Sequence, residues 1–188
     1  MKLFLIDWDR HCPIVAGFGP CFQAEFRGWT DGCTVMSDEH KTPCVGGVFF
    51  DPRARGPLPA FTHILSPPEA QAAQRAITVS VPWIEVLGAV LWVERYGHLC
   101  RNSRVLLATD SDTGAQCLQR MFSADPHLMS LLRRFRLALA QHFITMRVRS
   151  VVGSLFNRLS DALSHNRPQE ARDIAWHDFG REIAIAPI

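Results

Sequence analysis

Two hydrophobic periods divide the chain. From Phe22 to Thr30 apolar and polar positions tend to alternate, with Phe22, Ala24, Phe26 and Gly28 in step, which predicts a strand. Asp31-Gly32 follows as a place for it to end or bend. Lys41 to Phe50 (KTPCVGGVFF) predicts a second strand, whose Gly46-Gly47 pair marks a bulge or a close backbone approach. The stretch DPRARGPLPA (51–60) predicts a loop, and Phe61 to Leu65 a short third strand. Three strands in close succession predict an antiparallel meander.

Beyond it the period lengthens. Ser66 to Ser80 is rich in Ala and Gln, and its pattern decides nothing. Pro82 opens a helix over Trp83–His98, since proline fits a first turn where its missing N–H would be unpaired anyway. Ile84, Val86, Leu87, Val90, Leu91 and Val93 make that helix apolar on most sides, so it should be buried. Arg104 to Thr109 is a short apolar run ending at Asp110, as in a buried parallel strand. A helix is expected from about Asp112 to Phe122. Asp125-Pro126 then supplies an N-cap and a first-turn proline for a helix with Leu128, Leu131, Leu132, Phe135 and Leu139 on one face. Ile144, Met146 and Val148 alternate with Thr145, Arg147 and Arg149, a fifth strand, and Leu155, Phe156, Leu159, Ala162 and Leu163 mark a last core-facing helix.

The expected architecture is α/β: a mixed five-stranded sheet, three antiparallel strands and then alternating helix and strand, flanked by helices. Residues 1–21 read as an N-terminal extension or the remnant of a preceding domain, 22–166 as the folded domain and 167–188 as a C-terminal extension.

Composition narrows the class. Hydrophobic residues at 47% and charged residues at 20% exclude a disordered tail. A net charge of +2 provides no global basic field. No Lys follows Lys41, however, and Arg101, Arg104, Arg120, Arg133, Arg134, Arg136, Arg147, Arg149 and Arg158 crowd the second half. Arginine suits phosphate through its two-pronged hydrogen bonding, although solvated helix faces explain such residues equally well. The six cysteines show neither a C-x-x-C pair nor zinc-ligand spacing, which favours free thiols in an intracellular protein of cytoplasm or nucleus. MKLFLIDWDRH reads as neither a signal peptide nor a membrane span, and no membrane partner is expected.

Four acids stand out by position. Asp31 follows the first strand in WTDGC, Glu85 interrupts an apolar helix, Asp110 terminates a buried strand, and Asp161 lies on the last helix. A carboxylate in an apolar helix needs a partner, a proton or a metal, and the ends of strands in α/β sheets are where ligands bind. Phosphodiester hydrolysis uses two divalent ions about 4 Å apart, and such ions offset the repulsion among gathered carboxylates. Asp112 competes with Asp110; the latter is preferred because it directly ends the apolar run.

WTDGC resembles the first-strand motif of ribonuclease H, IEVLGAVLWVERYG its Glu-bearing helix, and VLLATDSDTGAQCLQR its fourth strand and following helix. GSLFNRLSDALSH resembles the ending of retroelement ribonuclease H domains, DIRS-like and related reverse transcriptases in particular, and SADPHLMSLLRRF is similar to their version too. The resemblance runs from about Phe26 to His165. It implies a ribonuclease H-like fold, with Asp31, Glu85, Asp110 and Asp161 as catalytic metal ligands for Mg²⁺ (or Mn²⁺), two ions in all. It implies Asn157, Arg158 and His165 on the substrate side. The implied activity is endonucleolytic hydrolysis of the RNA strand of RNA/DNA hybrids, with a reverse transcriptase polymerase domain as partner in the same polyprotein. The alternative is a catalytically silent module that binds nucleic acid or packs on a polymerase. Two departures matter: SVVGSLF lacks the His many relatives carry before the last helix, and FSADP leaves no room for a basic insertion.

Overall fold

A computed structural model describes residues 24–33, 43–78, 82–151 and 153–187. Its strands are β1 (Phe26–Cys33), β2 (Cys44–Phe50), β3 (Leu58–Ile64), β4 (Arg104–Thr109), β5 (Thr145–Ser150) and β6 (Ile183–Pro187). Its helices are α1 (Pro67–Thr78), α2 (Trp83–Tyr96), α3 (Asp112–Arg120), α4 (Pro126–His142), α5 (Gly153–Ser164) and α6 (Pro168–Phe179). The expected extension 1–21 and the start of a strand at Phe22 lie outside the described residues.

The strands form one mixed sheet in the order β5-β4-β1-β2-β3-β6. β1, β2 and β3 are the antiparallel meander, while β4 runs parallel to β1, β5 to β4, and β6 to β3. The sheet thus has six strands where the sequence predicts five. The sixth, IAIAP, pairs Leu58 with Ile183 through to Thr62 with Pro187. Its inward and outward positions are Ile and Ala, so apolar residues on both faces give no alternation to read.

Each face of the sheet carries its own core. On one face Val45, Phe49, Phe61, Val105 and Leu107 pack under α2, with Leu128, Leu132 and Phe135 of α4 on the same cluster. Squeezed between sheet and α4, α2 is buried nearly all round, as its apolar sequence requires. Trp92 is fully buried and donates its indole N–H to the Val48 carbonyl at 2.7 Å. On the other face Trp29, Val48, Leu58 and Ala108 meet Leu159, Ala162 and Leu163 of α5 and Ala171, Ile174 and Ala175 of α6.

Helix starts follow the capping chemistry. The Asp125 carboxylate accepts the Leu128 amide at 2.7 Å, with Pro126 opening α4. Ser111 caps α3, its hydroxyl accepting the Gly114 amide at 3.0 Å. The undecided segment after Ser66 is α1: Glu69 takes both the amide and the hydroxyl of Ser66, at 2.8 and 2.6 Å, and its Ala and Gln residues favour helix without needing an apolar stripe.

The Gly46-Gly47 pair is a close approach and not a bulge. Residues 27–33 of β1 pair one to one with 50–44 of β2. A Cβ on Gly46 would meet the Ser160 carbonyl and the Ser164 amide nitrogen of α5 at 2.5 and 2.6 Å, so that helix lies directly on the backbone of β2.

Candidate active site

β1 does not end at Thr30. It runs through Asp31 to Cys33 because β2 goes on pairing beside it, Asp31 opposite Gly46 and Cys33 opposite Cys44. Asp31 is therefore a strand residue, 4% exposed. It shares the α5 face with Trp29, while Thr30 and Gly32 turn toward α2.

Two hydrogen bonds from α5 hold Asp31. The Ser164 hydroxyl donates to Asp31 Oδ2, and Asn157 Nδ2 donates to Asp31 Oδ1 at 3.3 Å and to the Thr30 carbonyl at 3.2 Å. The amide of Asn157 is itself oriented, because the Ser160 hydroxyl donates to its Oδ1. Asn157, Ser160 and Ser164 are all buried. Spaced by three, four and seven, they form a polar stripe on the face of α5 that meets the sheet.

Glu85 arrives from the opposite side of the sheet, in the first turn of α2. Its Oε2 accepts the Thr109 hydroxyl at 3.1 Å, and the backbone amide of Gly32 donates to the same carboxylate. Gly32 makes room for this: a Cβ there would lie 3.2 Å from Glu85 Oε1 and 2.8 Å from the Ile84 side chain. Asp110 follows the last residue of β4 and is exposed. Asp161 is half-buried on α5, with Arg167 Nη2 at 2.8 Å from Oδ2 and His165 Nδ1 at 3.5 Å from Oδ1.

Potential ligand atoms converge in two groups, Asp31–Glu85–Asp110 and Asp31–Asp161–His165, each with all its atoms within 4.8 Å of one another. Asp31 belongs to both. Asp112, the first residue of α3 and exposed, belongs to neither.

The electrostatics are those of crowded acids. Burial pushes the Asp31 carboxyl from an ordinary 3.8 up to about 7; the Ser164 hydrogen bond opposes this, and the charges of Asp110 and Asp161 add to it. Burial likewise holds Glu85 well above the usual range, with the charges of Asp31 and Asp110 adding to it. The hydrogen bonds from Thr109 and Gly32 oppose that shift. An acid with a raised native pKa binds its proton more tightly when folded, so stability falls as pH rises through the interval between its unfolded and native values. The metal-free protein is therefore expected to lose stability between about pH 4 and pH 7, with a lower thermal midpoint at pH 8 than at pH 5 in chelator. A midpoint that is flat across this window would contradict the packing of Asp31 and Glu85.

The residues expected on the substrate side are placed unequally. Asn157 is 1% exposed beneath Asp31, where it can orient that carboxylate but offers no surface to a ligand. Arg158 is exposed on α5 and lies 3.8 Å from Asp178 of α6. His165 is exposed at the end of α5, its Nδ1 3.0 Å from the Asp161 carbonyl. Ser160, Ser164, Thr109 and Arg167 were not singled out by the sequence. The stripe spacing of Asn157, Ser160 and Ser164 was the signal for two of them.

No protein-family model matches the sequence, and no curated protein does. Solved structures match in fold. The N-terminal RNase H domain of Rv2228c from Mycobacterium tuberculosis superposes with a TM-score of 0.56 at 13% identity, covering 81% of this chain and 99% of that one. RNase H1 from Halobacterium salinarum gives 0.52 at 16% identity, over 78% and 98%. The foamy viral protease–reverse transcriptase in complex with an RNA/DNA hybrid gives 0.52 at 14% identity; 80% of this chain matches 21% of that much longer one. The fold is the ribonuclease H-like α/β fold.

Proposed function

We propose that this chain is a divalent-metal-dependent endonuclease that hydrolyses the RNA strand of RNA/DNA hybrids as part of a retroelement reverse transcriptase. The observation that carries the reading is the pair of ligand groups sharing Asp31 at the carboxyl ends of β1 and β4. The fold likeness supports it, as does the resemblance of WTDGC to the first-strand motif of ribonuclease H and of GSLFNRLSDALSH to the ending of retroelement ribonuclease H domains.

The donor set fits Mg²⁺ or Mn²⁺. Asp31, Glu85 and Asp110 offer only hard oxygens, two of them with proton affinities raised by burial and mutual repulsion. Asp31, Glu85, Asp110 and Asp161 would hold two ions, which when bound supply neutralisation of the phosphodiester and activation of water. The chain's own contribution is preorganisation. Asn157 and Ser164 fix both oxygens of Asp31, and Thr109 and the Gly32 amide fix Glu85, so neither carboxylate needs to reorganise during reaction.

Asp110 at the exposed strand end and His165 at the rim face incoming substrate. Arg158 exchanges its loose pairing with Asp178 for a backbone phosphate. Recognition goes through phosphates and 2′-hydroxyls, not base sequence. Only Met121–Asp125 joins α3 to α4, so the remaining grip falls to surface arginines or to a polymerase domain. Among the described residues no helix is long and apolar enough to cross a membrane. Cys44, Cys100 and Cys117 are free thiols, in keeping with an intracellular setting.

The test is cleavage of a labelled RNA/DNA hybrid in Mg²⁺ or Mn²⁺ against EDTA, with duplex DNA and duplex RNA as controls. Metal-dependent cutting confined to the hybrid's RNA strand is expected. Hybrid binding by folded protein without cutting would support the catalytically silent module instead.

A further inference from the structure

The two ligand groups differ in charge. Asp31, Glu85 and Asp110 form an all-carboxylate group, and among the described residues no basic side chain pairs with Glu85 or Asp110. The group of Asp31, Asp161 and His165 already contains positive charge. Arg167 Nη2 lies 2.8 Å from Asp161 Oδ2, and Arg167 Nη1 lies 2.7 Å from Glu170 Oε2. The guanidinium is also anchored from its backbone. Arg167 N–H donates to the Ala162 carbonyl at 2.8 Å, and Asn166, at φ 52°, reverses the chain between α5 and α6. The arginine comes from the segment after α5, outside the stretch that resembles ribonuclease H.

We propose that Arg167 serves as an internal cation for Asp161 and competes with the ion at that group, so that the two ions bind with unequal affinity. The inference rests on the metal-dependent reading above. Asp31, Glu85 and Asp110 accept the first ion without displacing a basic group. The second ion must share Asp161 with a guanidinium, which stays charged at every accessible pH and cannot leave by losing a proton. Glu170 draws the guanidinium partly away from Asp161 and so moderates the competition. Both partners of the Arg167–Asp161 pair are substantially exposed, at 44% and 34% of their side chains, so solvent screening keeps the effect modest.

The experiment is Mn²⁺ binding to the whole chain without nucleic acid, by calorimetry or by the spin-resonance signal of free Mn²⁺. The wild type is compared with Arg167→Gln, Arg167→Lys and Glu170→Gln, each checked for folding by circular dichroism. Arg167→Gln should tighten the weaker site by about two- to fivefold and leave the tighter one unchanged. Arg167→Lys keeps the charge and should stay near wild type. Glu170→Gln should shift the weaker site in the opposite direction, which keeps the test decisive if Arg167→Gln folds poorly. A weaker site that is unchanged or loosened in Arg167→Gln would make the arginine neutral or an orienting group and would overturn the inference, with the metal reading intact. A wild type that binds no Mn²⁺ would sink both.

Discussion

Asp31→Asn is expected to lower metal-dependent hybrid cleavage by about 10³-fold or more, roughly 4 kcal/mol of barrier, while making the metal-free protein more stable. The loss is large because Asp31 is the one residue common to both ligand groups. Its removal weakens both ion positions, where loss of Glu85 or Asp161 would weaken one. The gain in stability has a separate origin. Asp31 is buried among acids, with its carboxyl pushed up to about 7, so near pH 8 the fold must hold a charge it disfavours. Asparagine has nearly the same shape and no charge. Its oxygen can accept from Asn157 Nδ2, and the Ser164 hydroxyl can turn to the Asp161 carbonyl 2.9 Å away, leaving its own oxygen to accept from the new amide. The expected stabilisation in EDTA at pH 8 is about 1–2 kcal/mol, measured by urea unfolding. Near-wild-type cleavage would remove Asp31 from the ion site, and a loss of several kcal/mol would mean its charge is compensated by something other than a metal.

How legible the molecule was in its sequence depended on contrast. The apolar α2 and β4, and the Asp125-Pro126 start of α4, stand within a few residues of where the periodicity put them. β6 and α1 were not readable, the first because Ile and Ala alternate without a polar partner, the second because Ala and Gln make a helix with no stripe. Asp31-Gly32 is a pair that ends many strands, and β1 is longer than its alternation implies. Here continued pairing with β2 carries the strand onward and buries the aspartate. Glu85 was visible as a lone carboxylate in an apolar helix, and Asp110 as the end of an apolar run. The polar stripe of α5 was harder. Asn157, Ser160 and Ser164 look like a solvent-facing side until the sheet is placed against them, and all three are buried there. Arg167 carried no signal, because its partner Asp161 is reached only through the turn at Asn166.

The seating of α5 on β2 supplies the second large expected effect. Gly46→Ala should destabilise the protein by about 2–3 kcal/mol and also slow cleavage by about 10²-fold under conditions where the variant is fully folded. The added methyl would meet the Ser160 carbonyl at 2.5 Å, the Ser164 nitrogen at 2.6 Å and Leu163 Cβ at 2.6 Å. None of these atoms can swing aside as a flexible side-chain tip could, so relief requires the helix to lift from the sheet. The helix carries Asn157, Ser164 and Asp161, and Gly46 is the residue paired with Asp31 across β1 and β2. Lifting it therefore loosens the hydrogen bonds on Asp31 and separates Asp161 from it. Gly47→Ala separates stability from site geometry. Its methyl would meet the Phe61 ring at 2.3 Å, on the face away from α5, so it should cost comparable stability and leave cleavage by the folded fraction near wild type. Equal losses of cleavage in the two variants, once corrected for the unfolded fraction, would mean that general loosening of the sheet governs activity. A loss confined to Gly46→Ala would tie activity to the close contact of one helix with one glycine, a dependence that neither residue's chemistry reveals on its own.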